Sequence, residues 1–229
     1  MIIDVIIPAY NEENAVGKVV KAIPKDLVRE IVVVNNNSSD ETSTIAGNAG
    51  ATVLMQRDRG YGNACLKGIE YLKLKDEGDP DVVVFLDADF SDFPEEMVRI
   101  VAPIQQGKAE LVIGSRALGK KEKGSMLIQQ RFGNWLATTL IHRIYKYRYT
   151  DLGPFRAIRM DKLELICMRD RTYGWTVEMQ LKALKHGLLI QEVPVSYRKR
   201  IGKSKITGTV SGTLGAGWKI LATIWKYRK

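Results

Sequence analysis

Apolar runs rich in β-branched residues recur along the first half of the chain, at Ile2 to Ile7, Glu30 to Val34, Thr52 to Met55, Val82 to Leu86 and Leu111 to Ile113. Stretches with helical spacing separate them. That alternation predicts a parallel α/β sheet covered by helices on both faces. Helix start and stop signals fall where the pattern needs them: Asn11 precedes Glu12-Glu13 and a helical stretch that Pro24 stops, and Asp40-Glu41 leads a second. Pro94-Glu95-Glu96 reads as a first turn, with proline at N1 and acids at the positive end of the helix dipole. Beyond Ile113 the pattern changes. Gly119 to Ser125 reads as a mobile surface loop, and Gln129 to Arg148 as a helix with Phe132, Leu136, Leu140 and Ile144 along one stripe. A strand near Phe155 to Ile158, a helix from Trp175 to His186 and a strand over Leu189 to Tyr197 complete the series.

With 229 residues, 45% of them hydrophobic, the chain has material for one substantial core and little for a second. The expected organisation is one domain over 1–206 and a C-terminal appendage over 207–229. In that appendage Val210, Leu214, Trp218, Leu221 and Trp225 fall at helical spacing, with Lys219, Lys226, Arg228 and Lys229 between and after them. This is the pattern of a basic amphipathic helix on an anionic membrane surface. The competing reading is a terminal helix that packs on the domain through its tryptophans. The formal net charge is +9, and from Arg198 onward every charged residue is Lys or Arg, whereas acids dominate between Asp76 and Glu96. Charge alone admits nucleic acid, membrane or a phosphorylated substrate as partner, but no nucleic-acid motif or aromatic stacking platform accompanies it. Met1 to Pro8 is one strand-length run with no basic residues, and no apolar stretch is long enough to span a bilayer, so the expected location is cytoplasmic, peripheral at the membrane face. Cys65 and Cys167 sit in apolar runs without metal-ligand spacing and are expected to be reduced core residues.

In an open parallel sheet the ligand site lies beyond the carboxyl ends of the strands. Four successive strands here end in polar, turn-forming segments: Pro8-Ala9-Tyr10-Asn11-Glu12-Glu13, Asn35-Asn36-Asn37-Ser38-Ser39-Asp40, Arg57-Asp58-Arg59-Gly60-Tyr61-Gly62-Asn63, and Asp87-Ala88-Asp89. Two carboxylates one residue apart on a loop leaving a buried strand suit a hard cation such as Mg²⁺ or Mn²⁺ that also binds diphosphate oxygens. They would equally serve as caps for the helix near Pro94. The Gly60-Tyr61-Gly62 loop, with Arg57 or Arg59 nearby, would let backbone N–H groups approach a phosphate, or form a plain tight turn. A dinucleotide fingerprint after the first strand is absent, which counts against a dehydrogenase.

Taken in order, these segments resemble the family 2 glycosyltransferases of GT-A fold, and among them dolichyl-phosphate mannose synthase and the bacterial polyprenyl-phosphate glycosyltransferases. The resemblance runs from Ile3 to about Lys205 and extends through Gly114-Ser115-Arg116, Thr150-Asp151-Leu152-Gly153-Pro154-Phe155-Arg156, Glu178-Met179, and Glu192-Val193-Pro194-Val195 leading to Arg200 and Lys205. It implies a Rossmann-like, mixed but mainly parallel sheet and an inverting hexosyl transfer from a UDP- or GDP-sugar with Mn²⁺ or Mg²⁺ at Asp87 and Asp89. Pro8, Ala9, Tyr10, Glu12, Asn35, Arg57, Gly62, Asp87, Ala88 and Lys205 match donor-binding positions. Arg116, Arg131 and Arg156 are expected to meet an acceptor phosphate, and Asp89, Arg116 and Arg200 to act in catalysis. The expected acceptor is a polyprenyl phosphate. With a hydroxyl acceptor in its place, Asp151 or Glu178 would be the general base. A non-catalytic nucleotide- or nucleic-acid-binding module and assembly as a homo-oligomer stay open as alternatives. Three departures from the family pattern bear on the donor: Asn35-Asn36 replaces an Asp pair, Ser91 stands where a metal-binding Gln is frequent, and Gly153-Pro154 alters a T-S-G-F-R segment.

Overall fold

In the computed structural model, which describes residues 1–76, 78–202 and 210–228, the alternating pattern folds into one seven-stranded sheet. The strands are β1 (Ile3–Ala9), β2 (Glu30–Asn35), β3 (Thr52–Met55), β4 (Val82–Phe85), β5 (Leu111–Ser115), β6 (Arg156–Arg159) and β7 (Ile190–Pro194), in spatial order β3-β2-β1-β4-β6-β5-β7. β6 runs antiparallel to both β4 and β5, and every other pairing is parallel. The sheet is therefore mixed and mainly parallel.

Helices α1 (Val16–Ala22), α2 (Thr42–Asn48), α3 (Tyr61–Lys73), α4 (Met97–Gln105), α5 (Ile128–Tyr145), α6 (Met160–Ile166), α7 (Trp175–Lys185) and α8 (Val210–Lys226) cover the two faces. The period-2 alternation of β1 shows how one strand feeds two cores. Ile3, Val5 and Ile7 join α1 and α4 on one face, while Ile6 joins Val32, Val34, α3, α6 and α7 on the other. Asp4 also points inward, and its buried carboxylate is closed off by the guanidinium of Arg29 (Nε–Oδ1 3.1 Å).

Several helical expectations shift. The first helix begins only at Val16, because Asn11 takes a left-handed conformation (φ 52°) and its N–H donates to Ser38 Oγ at 2.9 Å. On α5 the buried residues are Ala137, Thr138 and Ile141, whereas Phe132 is 60% exposed and Ile144 38%. Of the expected stripe Leu140 packs against the core, while its two ends stay outside. Cys65 is buried as expected, but Cys167 ends α6 in a left-handed turn and is exposed. The 119–125 loop is pinned through Tyr197, which bridges both Asp92 and Lys121, and Tyr197 O accepts the N–H of Glu122 at 2.8 Å. Helix α8 packs on α5 and α7 through Thr223 and Ile224, with Tyr227 Oη donating to Glu178 at 2.7 Å. Its tryptophans do not make this contact: Trp218 is 75% exposed and Trp225 67%.

Candidate active site

The carboxyl ends of β1, β2 and β4 and the start of α3 enclose a cavity of about 340 Å³, completed by Tyr173 and Arg200 from the C-terminal half. Its position is the one a parallel sheet dictates. Pro8, Ala9, Tyr10, Glu12, Asp87, Ala88, Asp89 and Arg200 line it, as the sequence leads one to expect. Residues with short polar side chains in left-handed backbone make the sharp exits from these strands: Asn11 at φ 52° and Asn37 at φ 63°. Phe90, at φ 60°, is not such a residue, and a bulky side chain in that region costs on the order of 1–3 kcal/mol. Arg198 braces it, with the guanidinium 3.5 Å from the Phe90 ring centroid, 4.0 Å from that of Phe93, and Nε donating to Phe90 O at 2.7 Å.

The two aspartates are held differently. Asp89 Oδ1 accepts the Ser91 N–H (2.9 Å) and Oγ–H (2.6 Å), and its Oδ2 lies 3.2 Å from Arg200 Nη1. Ser91 thus orients the carboxylate. Arg200 spans the pocket, because its Nη2 also donates to Glu12 at 2.6 Å. Among the described residues, Asp87 accepts only the hydroxyl of Tyr61, at 3.1 Å. Burial, then the adjacent charge of Asp89, push the Asp87 carboxyl up to about 6 despite that hydrogen bond and the nearby guanidinium groups. Asp92 lies behind this pair, with burial and the charges of Asp87 and Asp89 pushing its carboxyl well up; neither of its oxygens has a hydrogen-bond partner among the described residues. A site that raises carboxyl pKa values in this way has unmet demand for positive charge.

That demand has a stability consequence. Asp87 is pushed up from an ordinary value near 3.8, so the folded chain holds more protons than the unfolded one between that value and about 6. Stability therefore falls as pH rises through this window and stays reduced above it. Asp87→Asn is expected to raise the melting temperature of the metal-free protein at pH 7.5 by several degrees, from roughly 1–2 kcal/mol, and to have little effect at pH 4. Thermal denaturation at the two pH values in chelator checks this.

Other expected site residues lie elsewhere. Asn35 turns to Ser43 and to the Ser38 N–H (2.8 Å), and its neighbour Asn36 lines the pocket instead. Asn36 fastens the following loop by donating to Asp58 O (2.7 Å) and accepting from Gly60 N–H (2.7 Å). Arg57 is exposed and not in the lining; Arg59 is, with its guanidinium 4.6 Å from the Tyr10 ring centroid. Gly62 does not line the cavity. A β-carbon there would fall 2.0 Å from Asp170 O, so glycine is needed for chain packing. Lys205 lies outside the described residues.

Arg156, expected at an acceptor phosphate, is fully buried and does not line the cavity; its guanidinium donates instead to the carbonyls of Gly153, Leu152 and Thr176. Glu178, expected as a general base, is also out of reach of the cavity. Burial raises its carboxyl, but Lys182 Nζ at 2.9 Å, the N–H groups of Arg169 and Asp170 and the Tyr227 hydroxyl outweigh it and hold the pKa below its ordinary value. Asp151 accepts the Arg116 main-chain N–H (2.8 Å), Nε (2.7 Å) and Nη2 (2.7 Å), so Arg116 and Asp151 form a closed fork under Tyr197. Glu192 of β7 in turn fixes the 150–151 backbone through the N–H groups of Thr150 and Asp151. Arg131 is exposed on α5. Sequence reading passed over Asn36 and Tyr173 as pocket residues; the polar run after β2 held a signal for the first, and nothing local marked the second.

Among known proteins, the chain matches the profile of glycosyl transferase family 2 over residues 4–166. It is 30% identical to an uncharacterized glycosyltransferase of Mycobacterium tuberculosis, over 96% of this chain and 98% of that one. It is 29% identical to the undecaprenyl-phosphate mannosyltransferase of Micrococcus luteus, over 90% of this chain and 88% of that one. Among solved structures, glucosyl-3-phosphoglycerate synthase from Mycobacterium tuberculosis, in complex with Mn²⁺, uridine diphosphate and glucosyl-3-phosphoglycerate, superposes with a TM-score of 0.77 at 21% identity, covering 99% of this chain and 79% of that one. The fold likeness agrees with the GT-A arrangement of sheet and strand-end cavity.

Proposed function

Because the chain belongs to glycosyltransferase family 2 and so transfers sugar from a nucleotide-sugar donor, we propose that it moves a hexose with inversion from a UDP- or GDP-sugar to a polyprenyl phosphate at a membrane surface. One observation carries the choice of acceptor: among the described residues, no carboxylate that lines the cavity or that the sequence nominates is left to act as a base, and Asp92, although without a hydrogen-bond partner, is buried behind the lining. Among the described residues Asp89 and Glu12 are engaged by Arg200, Asp151 by Arg116 and Glu178 by Lys182. Asp87 is needed elsewhere. An acceptor hydroxyl needs a base to remove its proton, whereas a lipid phosphate is an anion before it reacts.

Asp87 and Asp89 fit a divalent cation, Mn²⁺ or Mg²⁺, since burial and, after it, the adjacent charge of Asp89 lift the Asp87 carboxyl to about 6. When bound, such an ion neutralises charge growing on the departing nucleoside diphosphate. The side chains contribute the rest. Arg59 meets no carboxylate among the described residues and stands at the donor cavity over Tyr10, and Arg200 reaches the same space from the other wall. Both are placed to stabilise diphosphate oxygens. Ser91 keeps Asp89 in one orientation, and the Tyr61 hydroxyl does the same for Asp87.

The exposed aromatic residues support the membrane surface. Trp218 and Trp225 project from α8 two turns apart, and Ile128 (82% exposed), Phe132 and Trp135 (59%) project from α5, on which α8 packs. Lys219, Lys226 and Arg228 accompany them. No helix of the described residues is long and apolar enough to cross a membrane. Trp218→Ser with Trp225→Ser is expected to weaken binding to vesicles containing phosphatidylglycerol by about tenfold or more while leaving the melting temperature unchanged, because neither indole is buried. Vesicle co-sedimentation checks it.

A second reading, a soluble acceptor, draws support from the phosphoglycerate ligand named in the structural neighbour. The deciding assay incubates purified protein and Mn²⁺ with a panel of UDP- and GDP-sugars, and either polyprenyl phosphate in detergent or 3-phosphoglycerate. Nucleoside diphosphate release matched by lipid-linked sugar is expected. Release with the soluble acceptor alone would replace the lipid reading, and release with neither would remove both.

A further inference from the structure

A second cavity, of about 310 Å³, lies between the 169–172 segment, α7 and α8, and shares no lining residue with the donor cavity. Its acids are already neutralised: Asp170 by Lys219 at 3.0 Å and Glu178 by Lys182 at 2.9 Å. Arg169, Arg171 and Lys226 line the same cavity and meet no carboxylate among the described residues. Three uncompensated cations around one concavity repel one another, and a doubly charged oxyanion relieves that repulsion. Two guanidinium forks and an ammonium suit the tetrahedral oxygens of a phosphate.

The wall of this cavity is also joined to the donor site. The carbonyl of Arg171 accepts the N–H of Asn63 at 3.0 Å, in the first turn of α3. A β-carbon on Gly60 would stand 2.1 Å from that same carbonyl oxygen, so the segment touches the loop that lines the donor cavity. Asp170 holds the segment's own turn by accepting the N–H groups of Thr172 (2.7 Å) and Gly174 (3.1 Å), and Tyr173 next to them lines the donor cavity. On the α8 side, a β-carbon on Gly174 would lie 2.7 Å from Thr223 Oγ1. The segment is packed between α8 and α3 with no slack.

We propose that the Arg169, Arg171 and Lys226 cavity binds a phosphate ester, and that its occupancy is transmitted through residues 169–173 to the nucleotide site. The inference does not depend on which acceptor receives the sugar. Linkage requires that if the phosphate ester alters nucleotide affinity, the nucleotide alters phosphate affinity by the same factor.

The test is calorimetric titration of glycerol 3-phosphate into protein whose donor cavity is filled with UDP or GDP and Mg²⁺, beside sedimentation with phosphatidylcholine vesicles with or without phosphatidic acid. In the Arg171→Gln, Lys226→Gln double variant, both substituted residues being exposed, the dissociation constant is expected to rise tenfold or more, and Arg143→Gln, at an exposed position of α5, is expected to leave it unchanged. Binding of the soluble ester identifies a free phosphate ligand; double-variant-sensitive binding confined to phosphatidic acid vesicles identifies a lipid headgroup. Either supports the site. Failure of both probes to bind, or equal binding by the double variant, overturns it. A nucleotide dissociation constant that is the same with and without the phosphate probe overturns the transmission.

Discussion

Asp89→Asn is expected to lower turnover by about a thousandfold while leaving the protein folded, and to make nucleotide binding indifferent to Mg²⁺ or Mn²⁺. The size follows from how much depends on one carboxylate. Asp89 is the partner of Arg200 Nη1 at 3.2 Å and of both Ser91 donors, and with Asp87 it forms the pair proposed to hold the cation. Asparagine keeps an oxygen for the Ser91 donors but removes the charge, so the loop shape survives and the electrostatic task does not. Paired calorimetric titrations of UDP and GDP with and without metal, beside a turnover assay, separate the two effects. Metal-dependent nucleotide binding retained in the variant would place the cation elsewhere.

Arg116→Met is expected to destabilise the fold by about 3–5 kcal/mol, the largest stability effect of any substitution considered, because it strands the Asp151 carboxylate. That carboxylate is 1% exposed and takes three hydrogen bonds from Arg116, of which only the main-chain one would survive. Burial opposes the Arg116 charge, yet Asp151 overrides it and holds the pKa well above its ordinary value, so the pair is an ionic one. Arg116→Met combined with Asp151→Asn is expected to recover more than half of the loss, since no buried charge is left unpaired. Urea denaturation of the two single variants and the double variant measures the coupling. A single variant as stable as the parent would show that water reaches Asp151. The result also bears on mechanism: a residue locked in this fork acts on the site by positioning the 115–118 and 150–153 segments.

The seven strands, most helices and the address of the site were legible along the chain. Their signals are local: a period of two in β1, an asparagine at each of two left-handed exits, a proline opening the turn before α4. Asp87-Ala88-Asp89 could be placed at a strand end for the same reason, and the order of motifs up to Arg200 carried the family resemblance. Side-chain direction at the ends of these segments was another matter. Asn36 rather than Asn35 faces the cavity because successive residues leaving a strand point to opposite sides, whereas Arg59 rather than Arg57, two positions apart, faces it because the irregular 56–60 segment has left the strand's alternation. Arg156 and Glu178 look like an acceptor-phosphate ligand and a general base as letters and are structural in space, since the Thr176 carbonyl that Arg156 meets and the Arg169, Asp170 and Tyr227 donors that Glu178 meets come from other segments. On α8 the sequence showed an amphipathic helix and left its buried side undecided; Thr223 and Ile224 meet α5 and α7, and the tryptophans stay outside. The sequence by itself determined the backbone path and the chemistry delivered to one sheet edge. Only the tertiary structure decided which charges are spent on one another, because pairs such as Arg116 with Asp151 and Arg200 with Glu12, 35 and 188 residues apart, leave no periodic trace in the chain.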